Sequence, residues 1–274
     1  MVGSRRCTRR VLMRQLALGG ALVLALPAFV ATSASAVTTP TFVAGSQASA
    51  FVGPYASGFH TRVVTVTSAN VQAGDLWVGL AAYNGDGGLN IQGTGWSAPT
   101  PHNAGGPGDI YSTRAWVFWK VLAPSDVVGG RFSATIVTGA DGAQFGGARF
   151  AGLAYRGARL TATVAGSAVA QGAGGLASTA DVTFPAVATP AGNTVVRLGA
   201  ARGYGGYLAG QGIHWTSAPG TTRIAASDGN TGDRAIVISE QPNGSGAAAS
   251  GQYFTALWGN RNRVTYTVAI SSAG

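Results

Sequence analysis

The sequence predicts an all-β protein: an antiparallel β-sandwich of jelly-roll-like design, built from two internally repeated halves. Three observations carry this prediction. Beyond residue 37 the chain is rich in Val, Thr, Ala, aromatics and Gly, with a single Glu and a single Lys, a composition suited to strands and turns. Apolar and polar residues alternate in short runs, at the period of a half-buried strand, and Gly, Pro, Asn and Asp separate the runs. Finally, "GDLWVGLAAYNGDGG" (74–88) returns as "GNTVVRLGAARGYGG" (192–206).

The first 36 residues are expected to be an export signal. Arg5, Arg6, Arg9, Arg10 and Arg14 stand there without an acid, and "LALGGALVLALPAFV" follows. That apolar run is too short for a bilayer span. Ala34-Ser35-Ala36 then offers a small-x-small cleavage site, so the mature chain is expected to begin at Val37 and to be extracellular. "TRRVLM" also resembles a twin-arginine signal, so the Sec and Tat routes both remain open. The lone Cys7 lies inside this segment, which leaves the mature chain without thiol or disulfide chemistry. Five of the 18 basic residues leave with the signal and all nine acids stay, so the mature balance is 13 against 9. That mild excess, scattered along the sequence, argues against a nucleic-acid partner. No membrane span is expected in the mature protein.

Ten runs are expected to be strands: 61–67, 75–83, 113–122, 131–138, 148–156, 159–165, 193–202, 234–240, 252–258 and 263–271. The glycine-rich "GSAVAQGAGGLAS" (166–178) is expected to join the halves, which run from about 61 to 157 and from about 179 to 271. The duplication rests on three segments in the same order. Gly74, Val78, Leu80, Ala82, Gly85, Gly87 and Gly88 recur 118 residues later. "GWSAP" (95–99) is answered by "HWTSAP" (214–219), and "TRAWVFWK" (113–120) by "DRAIVISE" (233–240) at an offset of 120. One domain over 37–274, with a shared interior, is the expected arrangement, because each half has few residues for a core of its own.

Comparing the halves suggests which faces are buried. Leu76, Val78, Leu80 and Ala82 share one side of their strand, and their counterparts Thr194, Val196, Leu198 and Ala200 stay mostly apolar. Trp77, Gly79, Ala81 and Tyr83 share the other side, and their counterparts include Arg197 and Gly199. This tolerance places Trp77 and Tyr83 on an outer or concave face. At an offset of 120, Trp116 and Phe118 match Ile236 and Ile238, which suggests burial. Trp119 matches Ser239 and Lys120 matches Glu240, which frees Trp119 to face outward. Trp96 and Trp215 are expected to plug sandwich ends.

Trp77, Tyr83 and Trp119 therefore form the candidate ligand platform, with Asn84 and Arg114 to bond sugar hydroxyls. The competing structural reading packs the same rings beneath loops or a partner chain. No metal is expected. Among the Gly turns "NGDGG" and "DGNTGD", Asp228 and Asp233 are the better calcium ligands, but neither loop has the full spacing of a calcium loop. Asp75 is expected to bond backbone. His60, His102 and His214 share no metal spacing, and neither G-x-S-x-G nor H-E-x-x-H occurs. No catalytic residue and no cofactor are expected.

"AGDLWVGLAAYN", the Gly95-Trp96 loop, "RAWVFWKVLAPSD" and "FAGLAYRG" together resemble a β-sandwich module of secreted actinobacterial and phage tail-associated proteins. The shared pattern falls on Gly74, Asp75, Leu76, Gly95, Trp96, Trp119, Lys120, Val121, Tyr155, Arg156 and Gly157. The resemblance implies a structural framework and surface attachment or binding; it brings no established activity. The function expected from the sequence is secreted, non-catalytic binding of carbohydrate or another cell-surface component. The alternatives are a self-associating structural protein and a secreted hydrolase.

Overall fold

The computed structural model describes residues 39–53, 60–83, 88–98, 101–104, 113–141, 147–168, 178–190, 192–204, 214–227, 234–255 and 257–273. The segment 1–36 expected to be an export signal, Asn84, Asp228 and Asp233 lie outside the described residues. The chain is all-β. The first part carries β1 (Thr41–Phe42), β2 (Ala48–Val52), β3 (His60–Ser68), β4 (Leu76–Tyr83), β5 (Leu89–Ile91), β6 (His102–Ala104), β7 (Thr113–Val121), β8 (Phe132–Asp141) and β9 (Ala148–Arg156). The second carries β10 (Ala158–Ala168), β11 (Ser178–Phe184), β12 (Thr194–Tyr204), β13 (His214–Ser217), β14 (Thr221–Ser227), β15 (Ala235–Gln241), β16 (Ala249–Thr255) and β17 (Leu257–Ser272). Among the described residues the only helical turn is Pro124–Asp126, and no helix is long and apolar enough to cross a membrane.

All ten expected runs lie in strands. The additional strands are mostly short or polar, and too few residues alternate in them to give a periodic signal. The expected run 252–258 is divided between β16 and β17.

Four antiparallel sheets stack in layers. An inner sheet orders its strands β9-β4-β7-β6, with β1 and β2 both on the free side of β9. The second inner sheet is β10-β17-β12-β15-β14. Each inner sheet is backed by a three-stranded outer sheet, β3-β8-β5 for the first and β11-β16-β13 for the second. From β2 onward, the strands of the first part follow the same pairing order as those of the second. Counted from β2 or from β10, strands one, eight, three, six and five share an inner sheet, and two, seven and four share an outer one. Apart from strand five, which pairs as a hairpin with strand six, this is jelly-roll order.

Side-chain alternation makes three larger interiors from these layers, beside a small cluster of Val187, Val195 and Ala269. Leu76, Val78, Leu80, Ala82, Val117, Leu153 and Tyr155 meet Val196, Leu198, Ile236, Ile238, Tyr266 and Val268 in a central core between the inner sheets. The other side of the first inner sheet supplies Trp77, Ala81, Tyr83, Phe118 and Phe150, packed on Val64, Val66, Phe132 and Ile136 of the outer sheet. In the second half Ala201, Ala235 and Val237 pack with Val182, Phe184, Trp215 and Tyr253. The central inner strands β4, β9, β12 and β15 are therefore buried on both faces, and all eight residues of β4 are buried. One core thus lies between the two inner sheets, and each outer sheet closes another behind it.

This layering corrects the pairing of β7 with β15. Leu80 pairs with Val117, while Leu198, at the matching place on β12, pairs with Ile238. The offset is therefore 121, not 120. A slip of one residue exchanges the two faces of a strand. Trp116 and Phe118 thus occupy the positions of Val237 and Ser239, and Trp119 occupies that of Glu240.

The connections fall into two groups. The pairs Val52–Ala148, Tyr83–Ala148, Ala104–Thr113 and Leu89–Thr138 bring four strand-to-strand connections to one end of the first half. Ala168–Arg263, Ser227–Ala235, Ser178–Thr255 and His214–Phe254 do the same in the second. These two ends lie side by side, because Thr113 Oγ1 donates to the Asn262 carbonyl at 3.1 Å. The Tyr266 hydroxyl ties the halves further: it donates to the Ala115 carbonyl (2.8 Å) and accepts from the His102 N–H (3.2 Å).

Candidate functional site

The residues expected to form a platform do not share a surface. Trp77 is 0% exposed and Tyr83 1% exposed. The Trp77 indole lies flat across Gly79 and Gly152, which face each other on β4 and β9; a Cβ at either would fall within the ring's van der Waals envelope. Its Nε1–H donates to the buried Ser68 hydroxyl at 2.9 Å, and Trp96, Phe132 and Phe150 meet it edge-on. Trp119 points to the opposite side of the sheet and is half-buried against the central core. The expectation of outward rings failed because the sheet carrying them is covered on both sides. An interior position that tolerates Arg or Gly in the other half signals a different local cover, not solvent.

Arg114 and Tyr83 do come together. The Arg114 guanidinium donates to Asn103 Oδ1 (2.6 Å) and to the Tyr83 hydroxyl (3.1 Å), at the end of the sheet where β4, β6 and β7 finish or start. These contacts hold the strand ends in place.

The residues carrying the resemblance bear on the fold. Gly74 has φ +88°, as does Gly192 at the matching place, a conformation that favours glycine. Asp75 is buried; it accepts from the Gln72 N–H at 2.9 Å, as expected, and from Arg156 through two nitrogens at 3.1 Å. This pairing raises the Arg156 pKa. Lys120 Nζ bonds the Thr94 carbonyl and Asp126 Oδ1, each at 2.7 Å, and lies over the Trp96 ring. Burial alone would raise the Asp126 pKa; the Lys120 ammonium and the Ala123 N–H outweigh it and bring the carboxyl below the usual range. Trp96 covers the edge of the first outer core, while Trp215 is a strand residue inside the second.

The acids whose side chains are described all have partners of this kind. Glu240 is buried beside Arg223, which stacks on Phe42 at 4.3 Å, and it faces Tyr155. Asp181 accepts from Gln252 Nε2 at 2.7 Å. Among the described residues no group of His, Cys, Asp and Glu is arranged to hold a metal ion. Four basic residues, Arg62, Arg149, Arg202 and Arg234, are buried near strand ends. Arg62 Nη1 there donates to the Gly53 carbonyl at 2.6 Å.

An outward aromatic face exists elsewhere. On β16, Tyr253 points into the core, so Phe254 points out of the second outer sheet. His214 and Thr179 flank it on the neighbouring strands, and the His214 and Phe254 rings lie 4.9 Å apart at 41°. One row along, roughly 7 Å away by strand geometry, Gln252 and Asp181 stand hydrogen-bonded and exposed. Sequence reasoning missed this site because "QYFTALW" gives no indication of which ring turns inward. Comparison with family models, curated proteins and solved structures finds no match to this chain.

Proposed function

We propose that this chain is a secreted, non-catalytic protein that binds carbohydrate of a cell-surface or extracellular polymer. The observation that carries the reading is the outward face built from Phe254, His214, Asp181 and Gln252. The aromatic rings offer an apolar plane to the C–H face of a pyranose, and the carboxylate and amide lie one row away to take its hydroxyls. The arginine-rich leader and the Ala34-Ser35-Ala36 site support export. The shared strand order supports an ancestral duplication, and the second outer sheet carries the aromatic pair.

Affinity electrophoresis through gels containing glycol chitin, hydroxyethyl cellulose or solubilised peptidoglycan tests the reading. Retardation by at least one polymer is expected, and Phe254→Ala weakens it about ten-fold, the loss of one aromatic anchor. Unchanged retardation in Phe254→Ala and His214→Ala would remove the platform. A second reading, self-association, draws on Val63, which is 55% exposed on the edge strand β3; sedimentation velocity showing concentration-dependent growth would favour it.

A further inference from the structure

The first outer sheet has a hollow at the place where the second carries Phe254 and His214. Val63, Val137 and Asn90 lie abreast on β3, β8 and β5, the strand positions of Thr179, Phe254 and His214. An open groove of about 490 Å³ runs there, lined by Thr61, Leu89, Asn90, Gln92, Val137 and Thr138 together with the bare backbone of Gly88. That volume is within the usual range of ligand sites. Among the described residues that line it no side chain is charged, the accessible wall is mainly apolar, and hydroxyls and amides rim it. Farther along the same face, Thr65 and Thr135 share a hydrogen bond of 2.8 Å, as do Thr67 and Ser133. Each such pair uses one hydroxyl proton internally and keeps another, with lone pairs, for a ligand.

We propose that this groove is a second saccharide site, for an uncharged sugar chain, and that the protein cross-links polymer strands through two opposite faces. The chemistry of the described lining, apolar with hydroxyls and amides at its rim, selects the ligand class. A charged polymer would lose its hydration here without gaining a counter-charge from the described residues, whereas a neutral pyranose finds apolar surface at the half-buried Val137, over the buried Leu89, and amides at Asn90 and Gln92. The two sites lie on the outermost layers of a four-sheet stack, roughly 30 Å apart at about 10 Å per layer. One bound chain therefore cannot fill both by folding over an edge as readily as two chains can, and the geometry favours bridging. The cross-linking claim rests on the Phe254 platform of the proposed function; the groove itself does not.

The experiment uses the secreted protein with glycol chitin and hydroxyethyl cellulose, reading retardation for binding and turbidity for cross-linking. Wild type is expected to show both. Phe254→Ala and Val137→Arg should each keep weakened retardation, at least ten-fold below wild type through lost avidity, and each should abolish turbidity. Asn90→Arg, at an exposed position that does not support the core, repeats the groove test if Val137→Arg misfolds. Unchanged retardation and turbidity in both groove variants would overturn the groove while leaving the platform intact. The reverse pattern, with only the groove variants affected, would overturn the platform and the bridging. Turbidity without glycan would assign the effect to self-association and overturn cross-linking.

Discussion

Trp77 and Gly152 provide a quantitative test of whether the ring is an interior support. Replacing Trp77 by Ala removes a fully buried indole and leaves the buried Ser68 hydroxyl without its donor at 2.9 Å. Large-to-small changes of this kind cost about 3–5 kcal/mol. In a domain of this size that corresponds to a fall of roughly 6–20 °C in Tm. Gly152→Ala should be destabilising for the opposite reason, since the new methyl would enter the Trp77 ring, and overpacking costs about 1–3 kcal/mol. With Trp77 already removed, the same methyl fills vacated space and stiffens a strand glycine, a gain of about 0.5–1 kcal/mol. The double-mutant cycle should therefore return a coupling of about 1.5–4 kcal/mol between the two sites. Urea unfolding followed by far-ultraviolet circular dichroism measures all four proteins. A loss below about 1 kcal/mol in Trp77→Ala, or a Gly152→Ala effect that is the same with and without Trp77, would refute the packing of the indole against the two glycines.

Three further predictions concern the seam between the halves. Tyr266→Phe strips the Ala115 carbonyl and the His102 N–H of their shared partner and should cost about 1–3 kcal/mol in the same assay. Burial raises the Tyr266 pKa, and burial with the nearby Glu240 carboxylate raises that of Tyr155 well above the phenol range. Because both are raised above their unfolded values, the associated stability is complete below about pH 10 and is lost as pH rises through the folded values. Alkaline titration should show tyrosinate absorbance for these two rings only on unfolding; prompt ionisation of all eight tyrosines would contradict their burial. Arg223→Ala should destabilise more than the Arg223→Ala/Glu240→Gln pair. The single change strands a buried carboxylate, a loss of about 3–5 kcal/mol, and equal stabilities would show that Glu240 is not dependent on Arg223.

The strands were legible in the sequence because their information is local. Period-2 alternation marks β3 and β8, whose outer faces carry Thr and Ser, and the glycine turns at Gly74 and Gly192 mark where β4 and β12 begin. The two recurring runs 118 residues apart both fall on strands, β4 and β12. The sites were less legible. Trp77, Tyr83 and Trp119 have the composition of a platform, and nothing in their own run distinguishes a sheet with one covered face from a sheet with two.

Fold class, approximate strand limits and the apolar content of β4 and β12 follow from residue order alone, because backbone preference and alternation act between near neighbours. Which ring faces a core and which faces out does not. That depends on how many layers stack on a sheet and on the ladder register between strands far apart in the chain. One residue of register separates Trp119 from Phe118, and one covering sheet separates buried Trp77 from the outward-facing, half-buried Phe254.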